Sequence, residues 1–218
     1  HPLNTQVHLY NSWKYNNEKG LMLHGGLRFL TDDRQGGQTA FEKGMTRTAQ
    51  NPYGIGINNK LGEAVFKAGY VFPGHHTAVA LLANAVRHDM TSFYGLHNYD
   101  GDETRFYSNL VLTQDLDENA VHVLNTGVSY FNDKFDEILN NRQMERRESV
   151  PGVFAEYTFK PSARLTLMTG VRADFHNLFG TFVTPRMHFR YQPDPRFVFR
   201  LSAGKGYRTA NVTKVPNK

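Results

Sequence analysis

Arg172, Arg186, Arg190 and Arg200 fall on alternate positions of three consecutive stretches, with Asp174 and His188 among them. Alternate side chains of an extended chain share a face, so these groups would line one wall. Such an electropositive wall suits an anionic ligand and makes Arg172, Arg186, His188, Arg190 and Arg200 candidate ligand contacts. The plainer account is that any wetted interior needs solvated or mutually paired charges. Ten histidines raise the question of metal. His75-His76 sits on a short turn, and no histidine pair has the helical i, i+4 spacing of a zinc site. His97, Tyr99 and His176 lie near the opposite ends of their stretches, where a metal chelate or haem could be met. The run Asn98-Tyr99-Asp100-Gly101-Asp102-Glu103 has the donors of a calcium loop. Its glycine falls between the second and third ligands instead of after the third, and the run is expected to be a solvated turn, as is Asp115-Leu116-Asp117-Glu118-Asn119. Gly204-Lys205-Gly206 lacks the spacing of a phosphate loop. No Ser/His/Asp order and no carboxylate pair can be placed together, so neither an enzyme nor a resident metal or cofactor is expected.

The bulk chemistry narrows the classes further. The 218 residues hold 25 Lys+Arg against 20 Asp+Glu, a net charge of +5, and no cysteine. Disulfide scaffolds and thiolate chemistry are excluded. The basic residues are scattered singly, without the stripe that a nucleic-acid interface requires. The longest apolar run, Thr77 to Val86, is about half of the roughly 20 residues that a membrane helix needs. Because the sequence opens on His1, the compartment is not read from a targeting segment.

The elements that would position these residues are strands. Leu165, Leu167, Thr169, Val171, Ala173 and Phe175 alternate with Thr166, Met168, Gly170, Arg172 and Asp174. The same period of two runs through 183–191 and 197–204, and through about ten segments in all. Several exceed the ~9–11 residues with which a tilted strand crosses a bilayer. Short turns at 16–20, 73–76, 115–119, 160–163 and 192–195 are built from turn formers. Longer polar stretches are expected between them at 31–59, 96–102, 137–149 and 177–180. Trp13, Tyr15, Tyr70, Phe72, Tyr157, Phe159, Phe189, Tyr191 and Phe197 gather near the short turns, as in an aromatic girdle at a membrane interface. A soluble sandwich would also alternate, but its strands are usually only about 5–6 residues long. The expectation is an all-β, antiparallel, up-and-down transmembrane barrel.

The end of the chain adds a more specific pattern. Arg200-Leu201-Ser202-Ala203-Gly204-Lys205-Gly206-Tyr207-Arg208-Thr209-Ala210-Asn211 follows a Thr184-Pro185-Arg186 strand and a Tyr191-Gln192-Pro193 turn. This arrangement resembles the barrel of TonB-dependent outer-membrane transporters, with Gly204, Gly206, Tyr207, Arg208 and Asn211 at the motif positions. The motif covers about residues 150–212, and the strand rhythm extends the resemblance over the whole chain. The family's plug domain, its TonB-contacting segment and its terminal aromatic strand are not visible in the sequence. Residues 1–218 are therefore expected to be a portion of the barrel domain, about ten strands of some twenty-two.

The resemblance implies TonB-dependent uptake of a scarce nutrient across the outer membrane of a Gram-negative bacterium. Iron-siderophore, haem and cobalamin head the cargo classes, with other metal chelates and glycans behind them. The implied partners are the TonB complex acting through a plug, outer-membrane lipid and a small-molecule or metal-chelate ligand. Some relatives also carry a surface lipoprotein cap. A passive porin would conduct without TonB, and a soluble all-β binding module would stay monodisperse without detergent.

Overall fold

The computed structural model describes residues 3–209, and every regular element in that range is a strand. They are β1 (Leu3–Asn16), β2 (Leu21–Gly37), β3 (Gly54–Phe72), β4 (Thr77–Tyr94), β5 (His97–Asp115), β6 (His122–Leu139), β7 (Arg142–Ser162), β8 (Leu165–His176), β9 (Gly180–Asp194) and β10 (Phe197–Gly204). Each pairs antiparallel with the next, forming one sheet in chain order whose edges are β1 and β10. The sheet is not closed.

The short turns fall at one end, as their residues predict. The other end differs from expectation. Only residues 38–53 form a long loop there, whereas most of 96–102 and 137–149 is strand. Hairpins of two residues, Gly95-Leu96 and Asn140-Asn141, join those strands. Gly95, Asn140 and Asn141 all adopt the positive φ such tight hairpins need. Polar composition suggested loops here because these strand ends are polar on both faces. Asn98 to Glu103 is therefore strand, with Asp100 and Asp102 in line with the outer face and Glu103 with the inner one.

The two faces invert the arrangement of a globular protein. Val123 and Val150 are the buried apolar side chains among the described residues, while Asp32, Asp133, Glu137, Glu148, Asp174 and His176 are buried polar ones. Val171 and Phe199 lie 49% and 59% exposed on the outer face. Leu167 and Phe189 share that face and are half-buried, so none of the four joins a compact interior. The predicted girdle residues from Trp13 to Tyr191 carry the outward parity, and Phe197 lies across a bulge, paired with Asp194. A second aromatic row, Phe29, Phe106, Tyr130 and Phe175, marks the opposite limit of the apolar band. Beyond it, on β3 to β7, the outer face turns charged, with Lys60, Arg87, Asp89, Asp102, Lys134, Asp136, Glu145 and Arg147.

Hydrogen-bond partners make the slant of the strands measurable. Leu9, in the middle of the apolar stretch of β1, pairs with Phe29, and the line continues through Gly62, Arg87, Thr104 and Lys134 to Arg147. A line that starts mid-band thus ends above Pro151, where the band stops in β7. The band's centre slides by roughly 1.4 residues per strand; at ~3.3 Å per residue and ~4.8 Å between strands, the strands cross it at roughly 45°.

Candidate functional site on the inner wall

The inner wall is assembled by the same alternation. In β8, Arg172 and Asp174 point inward, two residues apart. Arg172 Nε donates to both Asp174 oxygens at 2.9 and 2.8 Å, and a terminal guanidinium nitrogen reaches Ser129 Oγ at 2.6 Å. Gly152 stands directly opposite Asp174. A Cβ there would lie 2.3 Å from Asp174 Oδ1 and 2.8 Å from the Arg172 guanidinium, so glycine makes room for the pair.

Further along, Arg186 is bonded to Glu156 and Arg190 to Gln192. Arg200 stands opposite Arg190 in register, and the His188 ring bonds Ser202 Oγ at 3.0 Å. Two arginines face to face repel, and among the described residues neither has an acidic partner at ion-pair distance. The expected basic wall is therefore present on β8 to β10. Its two upper arginines are neutralised by Asp174 and Glu156, and its two lower ones are not.

A second cluster lies on β4 to β8, and the loop expected over 137–149 hid the parity of its β7 members, Arg146 and Glu148. His88 Nδ1 is 3.7 Å from Glu103, which accepts from Arg105 Nε at 2.9 Å. Arg146 stands 4.0 Å from Asp133 and 3.5 Å from Glu148, and Glu148 is 3.8 Å from His176 Nε2. Acidic and basic side chains thus alternate across five strands. The signal that could have found them is the inward parity of Arg146, Glu148 and Val150, legible once 142–149 is taken as strand.

Two recesses open on the wall. One of about 750 Å³ is lined by residues including Asn109, Asn125, Glu156, Arg172, Arg186 and Tyr207. The other, about 420 Å³, is lined by Tyr107, Phe131, Glu148, Arg172, His176 and Tyr207, among others. Tyr207 serves both because the chain leaves β10 at Gly204 and crosses the inner face, stacking its ring on Phe182 at 4.0 Å and 7°. Gly206 borders the first recess and Arg208 the second. The structure thus gathers Arg172, Arg186, His176, Tyr207 and Arg208. His97 and Tyr99 stay apart at the tip of β5, where Asn140 Nδ2 bonds His97 Nδ1 at 2.7 Å and the Tyr99 hydroxyl donates to Glu137 at 2.8 Å. Asn211 lies outside the described residues.

Cations on this wall can meet an anionic group, but Arg190 and Arg200, which have no acidic partner among the described residues, line neither recess, and the recesses carry Glu156, Glu148 and Asp174 beside their arginines. The fold is shared with solved structures. The alcaligin outer-membrane receptor FauA from Bordetella pertussis superposes with a TM-score of 0.70 at 11% identity, over 88% of this chain and 34% of its own. The ferric enterobactin receptor PfeA in complex with BCV-L6 gives 0.52 at 10% identity, over 96% of this chain and 45% of its own. Its G324V mutant from Pseudomonas aeruginosa gives 0.51 at 10% identity, over 98% and 45%. At such identities the likeness speaks for the fold alone, and the chain spans between a third and a half of those receptors. No curated protein matches the chain. The family model described as TonB dependent receptor-like, beta-barrel matches residues 2–217, and the chain belongs to that family of TonB-dependent receptor barrels.

Proposed function

We propose that this chain is a sector of an outer-membrane barrel that imports a metal chelate, an iron-siderophore first among them, with energy supplied through TonB. The observation that carries the reading is the inversion of the sheet: an apolar band between two aromatic rows outside, and a charged, recessed wall inside, in a chain of this family. The apolar band faces lipid. The inner wall, with Arg172, Arg186, His188, Arg190 and Arg200, faces the transport path, and Arg190 and Arg200 leave positive charge for an anionic chelate or an internal domain. FauA is a receptor for alcaligin and PfeA for ferric enterobactin, and that ligand class is the first to test, with haem and cobalamin as the alternatives. The remaining strands and a plug belong to other parts of the receptor, and the TonB complex is its energising partner.

The test is growth of a strain lacking the receptor gene, with ferric siderophore, haem or cobalamin as the limiting source. Loss of growth on a ferric siderophore, reproduced by deleting tonB, is the expected result. Loss that persists with the receptor present and tonB absent separates this reading from a passive porin; wild-type growth on every source would overturn it.

A further inference from the structure

We propose that the outer face of β1 to β4 is a binding site for a phosphate-headed membrane lipid, with an acyl chain in a groove over Gly62 and the phosphate at Lys60. The site rests on the reading that the apolar band faces lipid. Two rows of outward side chains lie there in register, Leu9, Phe29, Gly62 and Arg87 in one and Val7, Thr31, Lys60 and Asp89 in the next. Gly62 leaves a notch between Phe29 and Arg87. A Cβ added to it would meet nothing nearer than ring carbons of Phe29, at 3.9 Å. The resulting groove holds about 410 Å³, with Val7, Leu9 and Phe29 at its apolar end and Lys60 and Arg87 at its polar end. The line from Leu9 to Arg87 climbs out of the band as it crosses the strands. The apolar end therefore lies at acyl depth, and the cations lie at headgroup level beside the upper aromatic row.

The charges say where the phosphate sits. Lys60 is exposed, and among the described residues no carboxylate lies within ion-pair distance of it. Thr31, its neighbour in register, adds a hydroxyl donor. Arg87 is tethered through one terminal nitrogen, to Asp89 at 3.1 Å and to Asp102. Its other two nitrogens donate to nothing among the described residues, so the guanidinium is held in place with donors to spare. Asp89 and Asp102 would repel an anion placed beyond Arg87, which puts the phosphate on the Lys60 side. A lysine at the rim of any apolar band can extend its stem and reach headgroups. Such a lysine needs no groove beneath it, and the notch at Gly62 is what turns this position into a site for one lipid. The lipid that presents phosphates to the face of an outer membrane on the side of the 38–53 loop is lipid A, and it is the probe of choice.

The test uses the full-length receptor, stripped of lipid in detergent and titrated with bis-phosphorylated lipid A, with bound lipids counted by native mass spectrometry. One lipid is expected to bind more tightly than the rest. Lys60→Gln should weaken it about fivefold. Gly62→Leu fills the groove from a position with room for its Cβ and should abolish tight binding. Lys134→Gln, on the same outer face but outside the groove, should leave binding unchanged, and heat-modifiable migration on gels shows that each variant is folded. Inorganic phosphate should not compete, which separates a lipid headgroup from a free anion. Equal binding of lipid A stripped of its phosphates, a tight lipid that survives in either Lys60→Gln or Gly62→Leu, or no tight lipid at all would overturn the proposal. If a nitroxide at Val128 still meets oxygen dissolved in lipid in that last case, the lipid-facing band stands and only this site falls.

Discussion

Asp174 is 3% exposed and owes its tolerance of that burial to Arg172, which covers both of its oxygens. Removing the guanidinium leaves a carboxylate with little access to water. Arg172→Ala is therefore expected to cost about 1–3 kcal/mol, read as a lower urea midpoint for the receptor in lipid. Gly127 meets a different constraint: a Cβ there would sit 2.4 Å from the Leu110 carbonyl oxygen and 2.5 Å from the Phe154 ring. Gly127→Ala should destabilise by about 1–3 kcal/mol, since the backbone oxygen cannot step aside. On the short turn between β5 and β6, the Asp117 carboxylate accepts backbone N–H groups from His122, Val121 and Asn119. The His122 bond leads in holding its pKa below the usual aspartate value. A depressed folded pKa contributes order that is complete above the unfolded value, near 4, and is lost as pH falls through the folded one. Amide exchange at residues 119–122 should accelerate below that range in the native chain, and at every pH in Asp117→Ala.

At the scale of the strand, the outward parity decides what each position meets. A nitroxide at Val128 in β6 should respond to oxygen dissolved in lipid, and one at Lys134 in the same strand to a water-soluble nickel relaxant. Equal response to both reagents at Val128 would remove the membrane band from that strand. Val171→Arg places a charge near mid-band and should cost about 2–4 kcal/mol on folding into vesicles, whereas Lys134→Ala should stay within about 0.5 kcal/mol. These assignments were legible in the sequence where one face is apolar and the other polar, as in Leu165 to Phe175. Above the band both faces are polar, as in Glu137 to Ser149, and period-two contrast vanishes. Arg146, Glu148 and Asp133 were missed for that reason. The upper aromatic row was missed because Phe29, Phe106 and Tyr130 lie mid-strand, far from any turn signal, and Phe175 stands alone beside the 177–179 hairpin. Among the arginines, parity showed which share a face. It could not show that Asp174 and Glu156 neutralise two and leave Arg190 and Arg200 open, since that depends on neighbours up to thirty residues away.

For the whole molecule, the open edges β1 and β10 carry consequences that no single strand shows. β1 is exposed along its full length, Leu3 to Asn16, and an unpaired edge beside an apolar face invites association with other chains. Pairing of both edges with further strands would remove that hazard. The oblique run of the strands then sets the bore. At roughly 45° each strand takes up about 6.8 Å of circumference, so a cylinder of some twenty-two would measure on the order of 45 Å across its backbone. Side chains cannot meet over such a gap, and no rearrangement of wall residues could shut it. In a barrel of that bore, the selection that the proposed function calls for would have to come from a loop or a separate body within it, and the wall's side chains would serve as its lining.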